Sequence, residues 1–120
     1  MDKQQQNELL KRIDALCERY FGTPDFNVQT IILETGFNGQ RLRRNMLKLT
    51  GMSTSSYLSV YMVGRAKRMM EQDPSVSIFE VSHACGFDEP THFARAFRRV
   101  TGMTPRAYRR QLREKKQNDK

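Results

Sequence analysis

The run SIFEVSHACGFDEPTHFARAFRRVTGMTPRAYRR, residues 77–110, decides the fold of this chain. Ile78 and Val81 recur at helical spacing, and Gly86 follows at the point where a left-handed helix end favours glycine. Phe93, Phe97 and Val100 then repeat at i, i+4 and i+7, the spacing of a second helix with one apolar face. Ser77 with Glu80 forms a capping-box pattern ahead of the first helix, and Asp88 is a suitable cap for the second. Two helices joined by a sharp glycine-containing corner make a helix-turn-helix unit.

The same pattern occurs once more, earlier in the chain. At an offset of 50, Asn27-Val28 matches Ser77-Ile78, Ile31 matches Val81, and Gly36-Phe37-Asn38 matches Gly86-Phe87-Asp88. The offset then becomes 51. Leu42 falls on Phe93, Arg44 on Arg95, Met46 on Phe97, Leu49 on Val100, Thr50-Gly51-Met52 on Thr101-Gly102-Met103, and Tyr57 on Tyr108. One residue has been inserted near the start of the later helix. Asn27 and Asn38 are suitable caps for the two helices of the first copy.

Outside the copies, an opening helix from about Gln5 to Tyr20 presents Leu9, Ile13, Leu16 and Cys17, and Thr23-Pro24 closes the connection after it. A long joining helix over about 55–72 carries Leu58, Tyr61, Met62, Ala66, Met69 and Met70 on adjoining faces, and Asp73-Pro74 ends it. Its eighteen residues span roughly 27 Å, close to the roughly 34 Å between successive major-groove faces on one side of DNA. Thr104-Pro105 opens a last helix over about 105–114, with Tyr108 and Leu112 turned inward and a frayed, solvated tail from Arg113 to Lys120. The expectation is an all-α chain of 120 residues: one domain, with helix-turn-helix units at about 27–51 and 77–102.

The net charge of +8 points to an anionic partner, and its placement says more than its size. Residues 39–51 hold four basic and no acidic side chains, and residues 90–120 hold ten basic and two acidic; residues 1–38 and 52–89 are each slightly acidic. With Leu42, Met46 and Leu49 turned inward, Gln40, Arg44, Leu47 and Lys48 face outward, flanked by Arg41 and Arg43. With Phe93, Phe97 and Val100 inward, Thr91, Arg95, Arg98 and Arg99 face outward, with His92 on a flank. A recognition helix reads base edges with its N-terminal residues, and Arg and Gln each present two donors or acceptors to a base. Gln40, Arg43, Arg44, Thr91, His92 and Arg95 are therefore the candidate base readers. Lys48, Arg98 and Arg99 suit phosphates, joined by the helix starts at Asn27 and Ser77.

Other chemistries find little purchase. Cys17 and Cys85 have no CxxC spacing and form no ligand pattern with His83 and His92, so neither metal nor cofactor is expected and both are read as buried apolar residues. The methionines are core filler. No triad-like Ser/His/Asp grouping, phosphate loop or carboxylate pair points to an enzyme. An interaction module that antagonises another regulator predicts an exposed apolar groove, and a non-specific nucleic-acid binder predicts equal affinity for all duplexes. No apolar run of 18 residues exists and the N-terminus is polar, so a cytoplasmic protein without a membrane partner is expected. At this length no separate small-molecule domain fits.

The stretch from Ile78 to Arg109, with Gly86-Phe87, Phe93-x-x-x-Phe97 and Gly102-x-Thr104-Pro105-x-x-Tyr108-Arg109 at fixed spacings, resembles the signature of the AraC/XylS family. The resemblance extends from about residue 8 to 112. It implies a seven-helix domain whose recognition helices enter successive major grooves on one DNA face, reading bases at Gln40, Arg43, Arg44, Thr91, His92 and Arg95, and activation through RNA polymerase. Two departures stand out: Met62 where the family usually has Arg in the joining helix, and Ile32 where a small Ala lets the first unit's helices approach. The first unit is therefore expected to sit somewhat differently. The Asp25-Phe26-Asn27 entry and Leu49-Thr50-Gly51 are similar to members in which this domain is the output end of a longer regulator or hybrid sensor.

Overall fold

The computed structural model describes residues 1–118, with side chains described to residue 115. Its elements are α1 (Lys3–Tyr20), α2 (Val28–Thr35), α3 (Gly39–Thr50), α4 (Thr54–Gln72), α5 (Ile78–Ala84), α6 (Pro90–Thr101) and α7 (Pro105–Asn118). The described residues hold seven helices and no strand, an all-α architecture. The chain divides into two compact units, Met1–Tyr61 and Met62–Lys120.

In the first unit, Asp2 and Gln5 form a reciprocal capping box that starts α1. Leu9, Ile13, Leu16 and Cys17 from α1, Ile31 from α2, Leu42 and Met46 from α3, and Leu58 from α4 make one buried cluster. Arg12 donates to the Glu34 carbonyl near the end of α2, supplying a partner to an acceptor that the helix itself leaves unpaired. Tyr20 donates to the Glu34 carboxylate at 2.8 Å, so α1 holds α2 at both backbone and side chain. Ile32 packs against this core with its Cδ1 toward the start of α3, where Gly39 has no side chain. A Cβ at Gly39 would lie 3.5 Å from it, an ordinary contact, so the larger residue is accommodated without overpacking.

In the second unit the largest fully buried side chains include Phe93, Phe97, Met70 and Val81. The rings run in series: Phe87 to Phe93 at 5.7 Å between centroids, Phe93 to Phe97 at 5.8 Å, and Phe97 to Tyr108 at 5.7 Å. The Tyr108 hydroxyl donates to Glu71 on α4 at 2.7 Å.

The two units share construction details. Thr50 donates to the Met46 carbonyl and accepts from the Met52 amide, while Thr101 does the same with Phe97 and Met103. Tyr57 on α4 donates to Asp14 on α1, as Tyr108 on α7 does to Glu71 on α4. Each unit is thus a long helix, a helix pair, and a tyrosine returning from the next helix to the first.

Two expectations need correction. The cap of α6 is Glu89, without a side-chain hydrogen bond, rather than Asp88. The inserted residue moves the helix start onward, and Pro90 at its first position has no N–H to cap and a φ already suited to the helix. The last helix also continues to Asn118 instead of fraying from Arg113; Asp119 and Lys120 of the expected tail lie outside the described residues. In α5, Ser77 accepts from the Glu80 amide at 2.9 Å, the one arm of the capping box found among the described residues.

One place in the first unit invites improvement. Ser53 and Thr104 start α4 and α7 alike, each accepting from an amide three residues on, so Thr54 stands where the second unit has Pro105. Both are buried, and the Thr54 hydroxyl has no hydrogen-bond partner among the described residues. Thr54→Pro should remove an unpaired polar group and restrict the unfolded chain, stabilising by about 1 kcal/mol. Urea denaturation would read this, and a fall in the midpoint would contradict it.

Candidate nucleic-acid interface

The side chains at issue are presented by α3 and α6. Asn38 caps α3 by accepting from the Arg41 amide at 2.8 Å, and Gly51 ends it in the left-handed region at φ 75°. Leu42 and Met46 are wholly buried and Leu49 is partly so, which forces the opposite face outward. Gln40, Arg43, Arg44, Leu47 and Lys48 are all exposed there. In α6, burial of Phe93 and Phe97 leaves Thr91, His92, Arg95, Arg98 and Arg99 exposed. Cationic heads on short, well-anchored helices remain in water, where an anionic polymer can replace their hydration.

Every candidate on these two helices is accessible, but the two faces are not copies. Arg44 and Arg95 share a helix position, as do Lys48 and Arg99, and Gln40 and Thr91. Arg43 corresponds to Ala94, while His92 corresponds to Arg41, whose guanidinium lies 4.9 Å from the centre of the Phe37 ring. That contact holds Arg41 to the body of the first unit. Arg41, Arg44, Asn45 and Lys48, with Met1, line an open concavity of about 230 Å³. Asn45 belongs to no candidate set read from the sequence, because its place on the helix flank carries no periodic or charge signal.

Asn27 and Ser77 are occupied as caps. Asn27 accepts from the Thr30 amide at 2.9 Å and donates to the Pro24 carbonyl at 3.0 Å, and Ser77 accepts from Glu80. What these helix starts offer an anion is therefore chiefly the free first-turn amides beyond each cap.

The cysteines lie away from this chemistry. Cys17 and Cys85 are buried free thiols, and burial pushes each up to about 12 from its ordinary 9.0. The native state prefers the protonated form, so this contribution is intact below about pH 9 and is lost as pH climbs toward 12. Burial, then the hydrogen bond to Glu71, moves Tyr108 the same way, from 10.0 to about 12. Thermal melts should accordingly fall between pH 9 and 12, and iodoacetamide at pH 7.5 should label both thiols only after denaturation. Rapid labelling of the native protein would contradict this placement. Among the described residues no group of three or more His, Cys, Asp or Glu side chains could hold a metal ion, and no helix is long and apolar enough to cross a membrane.

Residues 31–111 match the sequence model of a family described as a helix-turn-helix domain. A solved transcriptional regulator from Chromobacterium violaceum, described by its AraC-type DNA-binding domain, is 26% identical and superposes with a TM-score of 0.74 over 92% of this chain and 96% of that one. This chain belongs to the AraC-type helix-turn-helix family. Within that family, it is similar to the DNA-binding domain of AdpA, a global transcriptional factor solved in complex with a target DNA: 28% identity, TM-score 0.75, 88% of this chain and 94% of that one. It is also 34% identical over 70 residues to the HTH-type transcriptional activator RhaS of Pectobacterium carotovorum, a match to 58% of this chain and 25% of RhaS. The matched stretch thus spans about a quarter of the length of that regulator.

Proposed function

We propose that this chain is the sequence-specific double-stranded DNA-binding domain of a transcriptional activator, inserting α3 and α6 into successive major grooves. The observation that carries this is the repeated exposed basic face, with Arg44 and Arg95 at the same place on two helices whose other faces are buried. Family membership and the DNA-bound AdpA domain support it. Gln40, Arg43, Arg44, Thr91, His92 and Arg95 read base edges; Lys48, Arg98 and Arg99 hold phosphates, aided by backbone amides beside Asn27 and Ser77. The chain acts as a single AraC-type domain, the output end of a longer regulator that works on RNA polymerase in the cytoplasm. Similarity to the transcriptional activator RhaS supports the activator reading.

Selection from random duplex DNA tests the proposal. The expected product is a site of about 20 base pairs with two unlike half-sites, one helical turn apart. Recovery of all sequences equally at matched salt would overturn it in favour of non-specific binding.

A further inference from the structure

We infer that Leu47 is a specificity-determining residue of the first recognition helix, one that takes the C5-methyl group of a thymine; the inference rests on the DNA-binding function proposed above. Leu47 is 43% exposed. A lone exposed leucine is ordinary, but this one has a particular address. Residues advance by about 100° around a helix, so Gln40, Arg43, Arg44 and Leu47 at i, i+3, i+4 and i+7 share one face. Leu47 lies between Arg43 and Gln40 in angle, away from buried Leu42 and Met46 and half-buried Leu49. Among the four residues of that face it is the one apolar side chain.

The equivalent residue in α6 is Arg98, so the two helices differ at this place in kind. Beside a phosphate, a leucine would gain nothing and would displace hydration from the anion. The major-groove edges of the bases present donors, acceptors and, on thymine, a methyl group. Packing on that methyl is the contact that removes apolar surface of both partners from water. Arg43 and Arg44, one turn nearer the helix start, set the helix against polar base edges while Leu47 covers the methyl.

Replacing thymine with deoxyuridine removes that methyl and leaves Watson–Crick pairing intact. In the selected site, each thymine of the half-site that loses its preference in Arg44→Ala is replaced in turn, and affinity is measured by fluorescence anisotropy. One position should lose about fourfold, the equivalent of burying one methylene-sized group. In Leu47→Ala the thymine site should weaken by the same factor and the difference between thymine and uracil should vanish. Alanine is a strong helix former, so α3 should persist, checked by circular dichroism and melting. Leu47→Arg, which copies the second unit, should also abolish methyl sensitivity and steepen the salt dependence by about one phosphate contact. Uracil tolerated at every position of that half-site, or a thymine preference that survives in Leu47→Ala, would overturn the inference while leaving selective DNA binding in place. Failure to recover any selective site would overturn both.

Discussion

Phe93→Ala should destabilise the second unit by about 3 to 5 kcal/mol, the cost of removing a buried aromatic ring together with the cavity left behind. Phe93 is 0% exposed and sits between Phe87 and Phe97 in the ring series that ends on Tyr108. Removing it takes away the contact that each neighbouring ring makes with it, and a packed core relaxes only partly into such a space. Small domains have total stabilities of about 5 to 15 kcal/mol, so the loss is a large share of what holds the unit together. It should appear as a lower urea midpoint and as failure to bind duplex DNA at temperatures where the parent binds. Phe79→Ala provides the control: Phe79 is 62% exposed and its loss should change stability by no more than about 0.5 kcal/mol. Equal effects from the two substitutions would contradict the placement of Phe93 at the centre of the unit.

Arg95→Ala should relax sequence preference, weakening the selected site by about 1 to 3 kcal/mol, or roughly five- to 150-fold, with little effect on non-specific duplexes. Arg95 is exposed on α6, opposite Phe93 and Phe97, so its removal leaves the core untouched. Arg99→Ala should act differently. Its guanidinium is assigned to a phosphate, so all duplexes should weaken alike and the dependence of log affinity on log salt should become shallower by about one. Titrations of both variants at several salt concentrations, with repeated selection from random DNA, separate the roles. An unchanged base preference in Arg95→Ala removes it from the reading set.

The helices, their buried faces and the two copies were legible because their signals are local. A 3.6-residue period places Leu42 with Met46 and Phe93 with Phe97 whatever they pack against, and Gly36 and Gly51, at φ 77° and 75°, mark ends that favour glycine. Burial of one face then exposes the other, so the accessibility of Arg44 and Arg95 followed from periodicity too. The start of α6 was read less well. Asp88 is the better capping residue by type, but Pro90 decides where the helix can begin, and Glu89 takes the cap position without a capping bond.

Sequence alone therefore determined the all-helical class, the doubled helix-turn-helix plan and the outward basic faces, since each depends on residues only three, four or seven apart. Tertiary structure decided what holds those faces in place. Tyr57 meets Asp14 across 43 residues, Tyr108 meets Glu71 across 37, and Arg12 reaches the Glu34 carbonyl across 22. It also decided that Ile32 would be met by Gly39, and that Arg41 would lie on Phe37. These pairings depend on which surfaces meet once helices pack, and no period along the chain encodes that meeting.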